Sequence, residues 1–186
     1  RLLLEEFEFK TTSDTETLLY LFVKFGENCL KNLDGMFSFV IYNTTTKKLF
    51  FARDRAGKKP LYYYLNNNSL FIASELGTIT KNISTDINSD YINSYLRTGF
   101  FYKHQTPLQN VKELYPGSFA WVDTSNNKIT IKKWWDISKL YNQKKLQINE
   151  HEAIEQLDYH LNNSIKRRLF SSELEVGSFL SGGIDS

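Results

Sequence analysis

Apolar residues along this chain change their spacing several times, and each change marks an element. Ser13-Asp14-Thr15-Glu16 precedes Leu18, Leu19, Leu21, Phe22 and Phe25. A Ser or Thr cap with Glu three places on opens an amphipathic helix, and Gly26 ends it. From Leu33 the texture turns to alternating β-branched and aromatic residues, which predicts short strands over 36–42, 48–53, 61–65 and 69–73. The polar stretches 43–46 and 66–68, rich in Asn, read as turns, so these strands are expected as hairpins of one antiparallel sheet.

Asn88-Ser89-Asp90 caps a short helix through Tyr91, Ile92, Tyr95 and Leu96 that stops before Gly99. A further strand pair, 119–122 and 128–133, follows Pro116-Gly117 and closes at Trp134-Trp135. Residues 139–147 are polar and lack apolar periodicity, which places a linker and a domain boundary there. Asn149 with Glu152 makes a second capping pattern, and Ile154, Leu157, Leu161, Ile165 and Leu169 follow at helical spacing. The last stretch, 175–180, reads as a buried strand entering the glycine loop Ser181-Gly182-Gly183-Ile184-Asp185-Ser186.

Composition narrows the class. Hydrophobic residues make up 41% of the 186 and aromatics 15%, enough for a globular core and unlike a disordered chain. Lys and Arg number 23 against 21 Asp and Glu, a net +2 with the charges dispersed, so no nucleic-acid surface is implied. One cysteine excludes an internal disulfide framework, and 3 scattered His supply no zinc spacing, which fits a reducing, cytoplasmic setting. No apolar run approaches the ~20 residues a membrane helix needs. The first residues, Arg1-Leu2-Leu3-Leu4, read as the middle of an element, so a longer parent chain is expected.

The glycine loop is the richest chemical signal. Glycines let backbone approach phosphate oxygens, helix-start N–H groups point into such a loop, and Ser181 and Ser186 add hydroxyl donors. A bare Gly-Gly pair is more often a tight turn, but the whole hexapeptide after an apolar run resembles the pyrophosphate loop of enzymes that make acyl-adenylates from ATP. Upstream, Ser13-Asp14-Thr15-Glu16, Leu33 to Phe39, Phe51 to Tyr63 (FARDRAGKKPLYY) and Phe71-Ile72-Ala73-Ser74-Glu75 stand in the order of one family, with Pro116-Gly117 and Trp134-Trp135 after them. Together these blocks resemble the glutamine-hydrolysing asparagine synthetases, over essentially the whole chain.

That resemblance implies an α+β fold: residues 1–140 as the later part of a four-layer glutaminase domain of the N-terminal-nucleophile type, and 141–186 as linker and start of an α/β, Rossmann-like synthetase domain. It implies glutamine, aspartate and ATP as small-molecule substrates, Mg2+ with the phosphates, no nucleic acid or membrane partner, and leaves room for a homodimer of the parent. Asp14 matches the carboxylate for glutamine's α-ammonium. Leu180, Ser181, Gly182, Gly183, Asp185 and Ser186 match the ATP loop, with a metal-linked or loop-ordering role for Asp185. The family's nucleophile, an N-terminal Cys, is absent; Cys29 is internal and reads as apolar packing, so no catalytic residue is assigned.

Plainer readings stand beside these. Asp14 in a first helical turn favours the helix dipole, and Arg167 and Arg168 in a last turn do the same at the other end. The run 53–63 reads as a charged loop shaped by Gly57 and Pro60, the Tyr62-Tyr63-Tyr64 cluster as sheet core, and Glu75 as an ion-pair partner or part of an inter-domain passage. Relatives that amidate sugars or close lactam rings share the plan, and a non-catalytic homologue is a further alternative.

Overall fold

The computed structural model describes residues 2–66, 69–102, 104–170 and 175–183. They fall into two compact units, Arg1–Leu140 and Tyr141–Ser186, each described by itself.

The first unit opens with a 3-10 turn, Leu2–Leu4, and α1 (Asp14–Phe25), which stops at Gly26 with φ 54. A second 3-10 segment, Gly26–Asn32, follows and carries the buried Cys29 and Leu30. Strands β1 (Ser38–Asn43) and β2 (Lys48–Arg53) pair as a hairpin, as do β3 (Tyr62–Leu65) and β4 (Leu70–Ala73). Then come α2 (Leu76–Thr80), α3 (Ser89–Thr98), β5 (Val111–Glu113), and the hairpin β6 (Ser118–Asp123) and β7 (Lys128–Lys133). A short α4 (Ser138–Tyr141) lies where the sequence reads as linker.

The strands form two antiparallel sheets, β1-β2-β6-β7 and β4-β3-β5, where the alternation alone suggested one. Pleat parity explains the split. Phe50, Ala52 and Phe119 point to one face, against Leu4, Leu21, Cys29 and Leu30; Phe51, Ala120 and Val122 point to the other, against Leu61, Tyr63 and Leu114 of the second sheet. A sheet apolar on both faces must be covered on both, and β3 with β5 supplies the second cover. The stack is helix, sheet, sheet, with α2 touching β3 and β4.

Two hairpin tips have matching chemistry. Asn43 Oδ1 accepts from Thr45 N and Thr46 N at 3.0 and 2.9 Å, Asp123 Oδ1 accepts from Ser125 N at 3.0 Å, and Lys47 and Asn127 close the turns at positive φ. Thr124 N and Oγ1 both donate to Lys47 O, at 3.0 and 2.7 Å, tying the tips together.

In the second unit, α5 (Glu150–Leu169) has the predicted capping box: Asn149 Oδ1 accepts from Glu152 N at 2.9 Å and Asn149 N donates to Glu152 Oε2 at 3.4 Å. Its apolar stripe is exposed, Ile154 by 58% and Leu161 by 52%. The expected buried strand over 175–180 is a correction: these residues have no strand assignment, and Phe179 and Leu180 lie open to solvent. A strand exists through its ladder partners, and among the described residues none lies beside this apolar run.

Candidate functional site

Asp14 is the first residue of α1, and the geometry around it differs from what the sequence pattern suggests. Ser13 is extended (φ -61, ψ 142), and its Oγ accepts from Thr15 N at 3.1 Å. Capping is therefore by Ser13, as expected. Glu16, the expected partner in a capping box, does not return to Ser13. Its Oε1 accepts from Lys10 N at 2.9 Å, and its Oε2 accepts from Thr11 N at 2.7 Å and Thr11 Oγ1 at 2.6 Å. Three donors on one carboxylate, the Lys10 backbone N–H foremost and then the Thr11 hydroxyl, hold Glu16 down to a pKa of about 2.

A chain of hydrogen bonds runs from that carboxylate to Asp14. Thr11 Oγ1, donating to Glu16, accepts from Ser13 N at 3.2 Å; Ser13 caps Thr15 N; Thr15 Oγ1 donates to Asp14 Oδ1 at 3.4 Å. Tyr20 OH donates to Glu8 O at 3.1 Å, and Phe7 stacks on Tyr20 with centroids 4.6 Å apart, fixing the segment that leads in. Asp14 itself is exposed at the helix N-terminus, where a negative charge is favoured. Such a group suits recognition of a ligand's ammonium, since it is anionic, presented, and preceded by ordered backbone.

Cys29 has no exposed surface, and burial pushes its thiol up to about 11. A protonated, enclosed thiol is a poor nucleophile, in line with its reading as packing.

The run 53–63 proves to be the joint between the sheets. Arg53 is 6% exposed and donates to Lys59 O, Leu114 O and Gly57 O at 2.8, 2.6 and 2.7 Å, with an ion pair to Glu113 Oε1 at 2.7 Å. Asp54, 1% exposed, accepts from Ala56 N and Lys58 N on one oxygen and from Phe37 N and Lys59 N on the other. Arg55 lies over the Trp134 ring at 5.2 Å, and Trp134 Nε1 donates to Arg53 O at 3.2 Å. Gly57 and Gly117 sit at φ 65 and 62; a Cβ would stand 2.8 Å from Pro116 Cγ at the first and 2.6 Å from Trp135 O at the second. The fully buried Asp54 and its ladder of N–H groups had no sequence signal beyond its place in a charged run. Tyr63 is 8% exposed, its phenol pushed up to about 12 by burial, in keeping with the Tyr cluster as core.

Of the ATP-loop candidates, Leu180 is 85% exposed, Ser181 Oγ accepts from Gly183 N at 3.2 Å, and a Cβ on Gly182 would meet nothing within 4 Å. Asp185 and Ser186 lie outside the described residues. The described part of the loop is thus not yet a cradle that a side chain would fill. Among the described residues no cluster of three or more His, Cys, Asp or Glu is placed to hold a metal, and no helix is long and apolar enough to cross a membrane. Asp14 and the loop belong to different units.

Comparison with known proteins adds to this geometry. The glutamine amidotransferase domain matches residues 1–135. A Methanocaldococcus jannaschii protein with the provisional name asparagine synthetase (glutamine-hydrolyzing) 2 is 34% identical over 96% of this chain and 35% of its own length. Asparagine synthetase (glutamine-hydrolyzing) 1 of Bacillus subtilis is 33% identical over 97% of this chain and 28% of its own. Amidase chyE of Penicillium rubens is 29% identical over 99% of this chain and 27% of its own. The chain spans about a third of the length of these curated relatives or less.

Proposed function

The chain belongs to the family of glutamine amidotransferase domains, and from that membership we propose that it forms part of the ammonia-releasing half of a glutamine-hydrolysing asparagine synthetase, with Asp14 receiving the α-ammonium of glutamine. The observation that carries this reading is the exposed Asp14 carboxylate at a helix start whose preceding loop is tied by Glu16, within the matched 1–135. In the overall reaction glutamine is hydrolysed, and the ammonia, carried within a longer polypeptide, amidates aspartate activated by ATP in the cytoplasm. The asparagine synthetase names of the relatives at 33 and 34% identity favour aspartate as acceptor.

Residues 181–186 are the proposed seat of the ATP phosphates with Mg2+, on the strength of their residue pattern. Backbone N–H groups would meet phosphate oxygens there, and the metal would offset phosphate charge.

Asp14→Ala in the longer polypeptide tests the glutamine half. An ammonium held by a carboxylate and enclosed on binding makes a charge pair whose loss costs on the order of 10- to 100-fold in kcat/KM for glutamine. Synthesis driven by free ammonia bypasses glutamine and is expected to persist. Equal loss of both routes contradicts the assignment.

A further inference from the structure

We infer that Glu16 and Thr11 are positioning residues for glutamine binding, acting through the ordered segment 10–15 to set where Asp14 stands. The inference rests on the reading of Asp14 given above and goes beyond it, since neither residue would touch substrate.

Glu16 occupies the third position of α1, where its ordinary task is to satisfy the cap's own N–H. Here the Ser13 N–H donates to Thr11 Oγ1, and the carboxylate takes Lys10 N, Thr11 N and Thr11 Oγ1 instead. The chain ahead of the helix is thereby bent back and clamped onto the helix's own first turn. Thr11 is the relay: its hydroxyl donates to Glu16 and accepts from Ser13 N, so the orientation of Ser13, and through it of Thr15 N and the Thr15 Oγ1 to Asp14 Oδ1 contact, follows from the clamp. The contrast with α5, where Asn149 and Glu152 close on each other, shows that helix capping alone does not demand this arrangement. Lys10, Thr11, Ser13 and Thr15 are exposed and Glu16 is half-buried, outside the core clusters, so the clamp contributes little to core stability; what it fixes is the conformation of the backbone that carries Asp14.

Hydrogen-bonding residues outside the core whose value lies in placement should change KM for glutamine without changing fold or chemistry. In the longer polypeptide, Glu16→Gln swaps one acceptor oxygen for an NH2 group facing backbone N–H donors, and Thr11→Val removes the relay at constant shape. Each is expected to raise the glutamine KM about tenfold, leave kcat at saturating glutamine within about twofold, and leave ammonia-driven synthesis and Tm unchanged. Thr11→Ser, which keeps the hydroxyl, is expected to restore the KM. If KM stays at its starting value in both variants, or if Tm and both synthetic routes fall together, the positioning role is wrong. Asp14→Ala run in parallel separates the levels: a raised KM for Asp14→Ala with normal Glu16→Gln overturns only this inference, whereas a normal KM for Asp14→Ala overturns the site itself.

Discussion

Helices α1 and α5 begin with the same sequence device and end in opposite situations. Both have a capping side chain with Glu three places later, and both carry an apolar stripe. In α1 the Glu leaves the cap to clamp an upstream loop, and Leu21 is buried with Phe22 tilted against Phe50, ring centroids 4.8 Å apart; in α5 the Glu completes the box, and the stripe stays open. The pattern therefore specifies a helix start, while its surroundings decide what the Glu bonds and what the stripe meets. Thr11 and Thr12 place two hydroxyls five and four positions ahead of Glu16, where the positions equivalent ahead of Glu152 hold Gln147 and Ile148.

The largest loss is expected where the two sheets join, on the face of the first sheet that points away from α1. Arg53→Met strands Glu113 beside buried carbonyls and unties the joint between the sheets, a loss of about 3 kcal/mol for a mostly buried pair. Tryptophan emission reports it in denaturant, because Trp121, Trp134 and Trp135 all lie in the first unit. An unchanged midpoint would show that the joint is not a stability element.

Next in size is a matched pair of truncations. Leu21→Ala is expected to cost about 2–3 kcal/mol by opening a cavity under the first sheet. Leu161→Ala, 52% exposed, should stay within about 0.5 kcal/mol. Comparable losses at the two sites would mean that α5 is covered in solution.

The smallest effect concerns Glu16. Its pKa is depressed from 4.5 to about 2, so the clamp is intact above pH 4.5 and loosens as the pH falls through 2. The Thr11 amide, followed by NMR, should titrate with a midpoint near 2; a midpoint near 4.5 would show that the carboxylate is unclamped.

Much of the fold was legible from spacing. Strands 48–53 and 128–133, the stop at Gly26 and the α3 start at Asn88 all follow from local rules, because each is fixed by the residue's own backbone preference or a contact a few positions away. Division into two sheets was not legible, since it depends on β5, three residues long, pairing with β3 across nearly fifty positions. The 175–180 run failed for a related reason: apolar content suits a strand, but pairing makes one. For the site, the motif proposes Asp14 through a family resemblance alone, and it gives Glu16 the wrong partner because the capping pattern is blind to donors ahead of the cap.

The central claim is that Asp14 meets the α-ammonium of glutamine, and a double cycle tests it most directly. In the longer polypeptide, kcat/KM is compared for glutamine and for its analogue without the α-amine, glutaramate, with Asp14 present and with Asp14→Ala. If the two groups meet, losing both costs about the same as losing either, a coupling of roughly 1.5 kcal/mol or more. If the penalties simply add, Asp14 and the ammonium do not interact, and the assignment of this carboxylate is wrong.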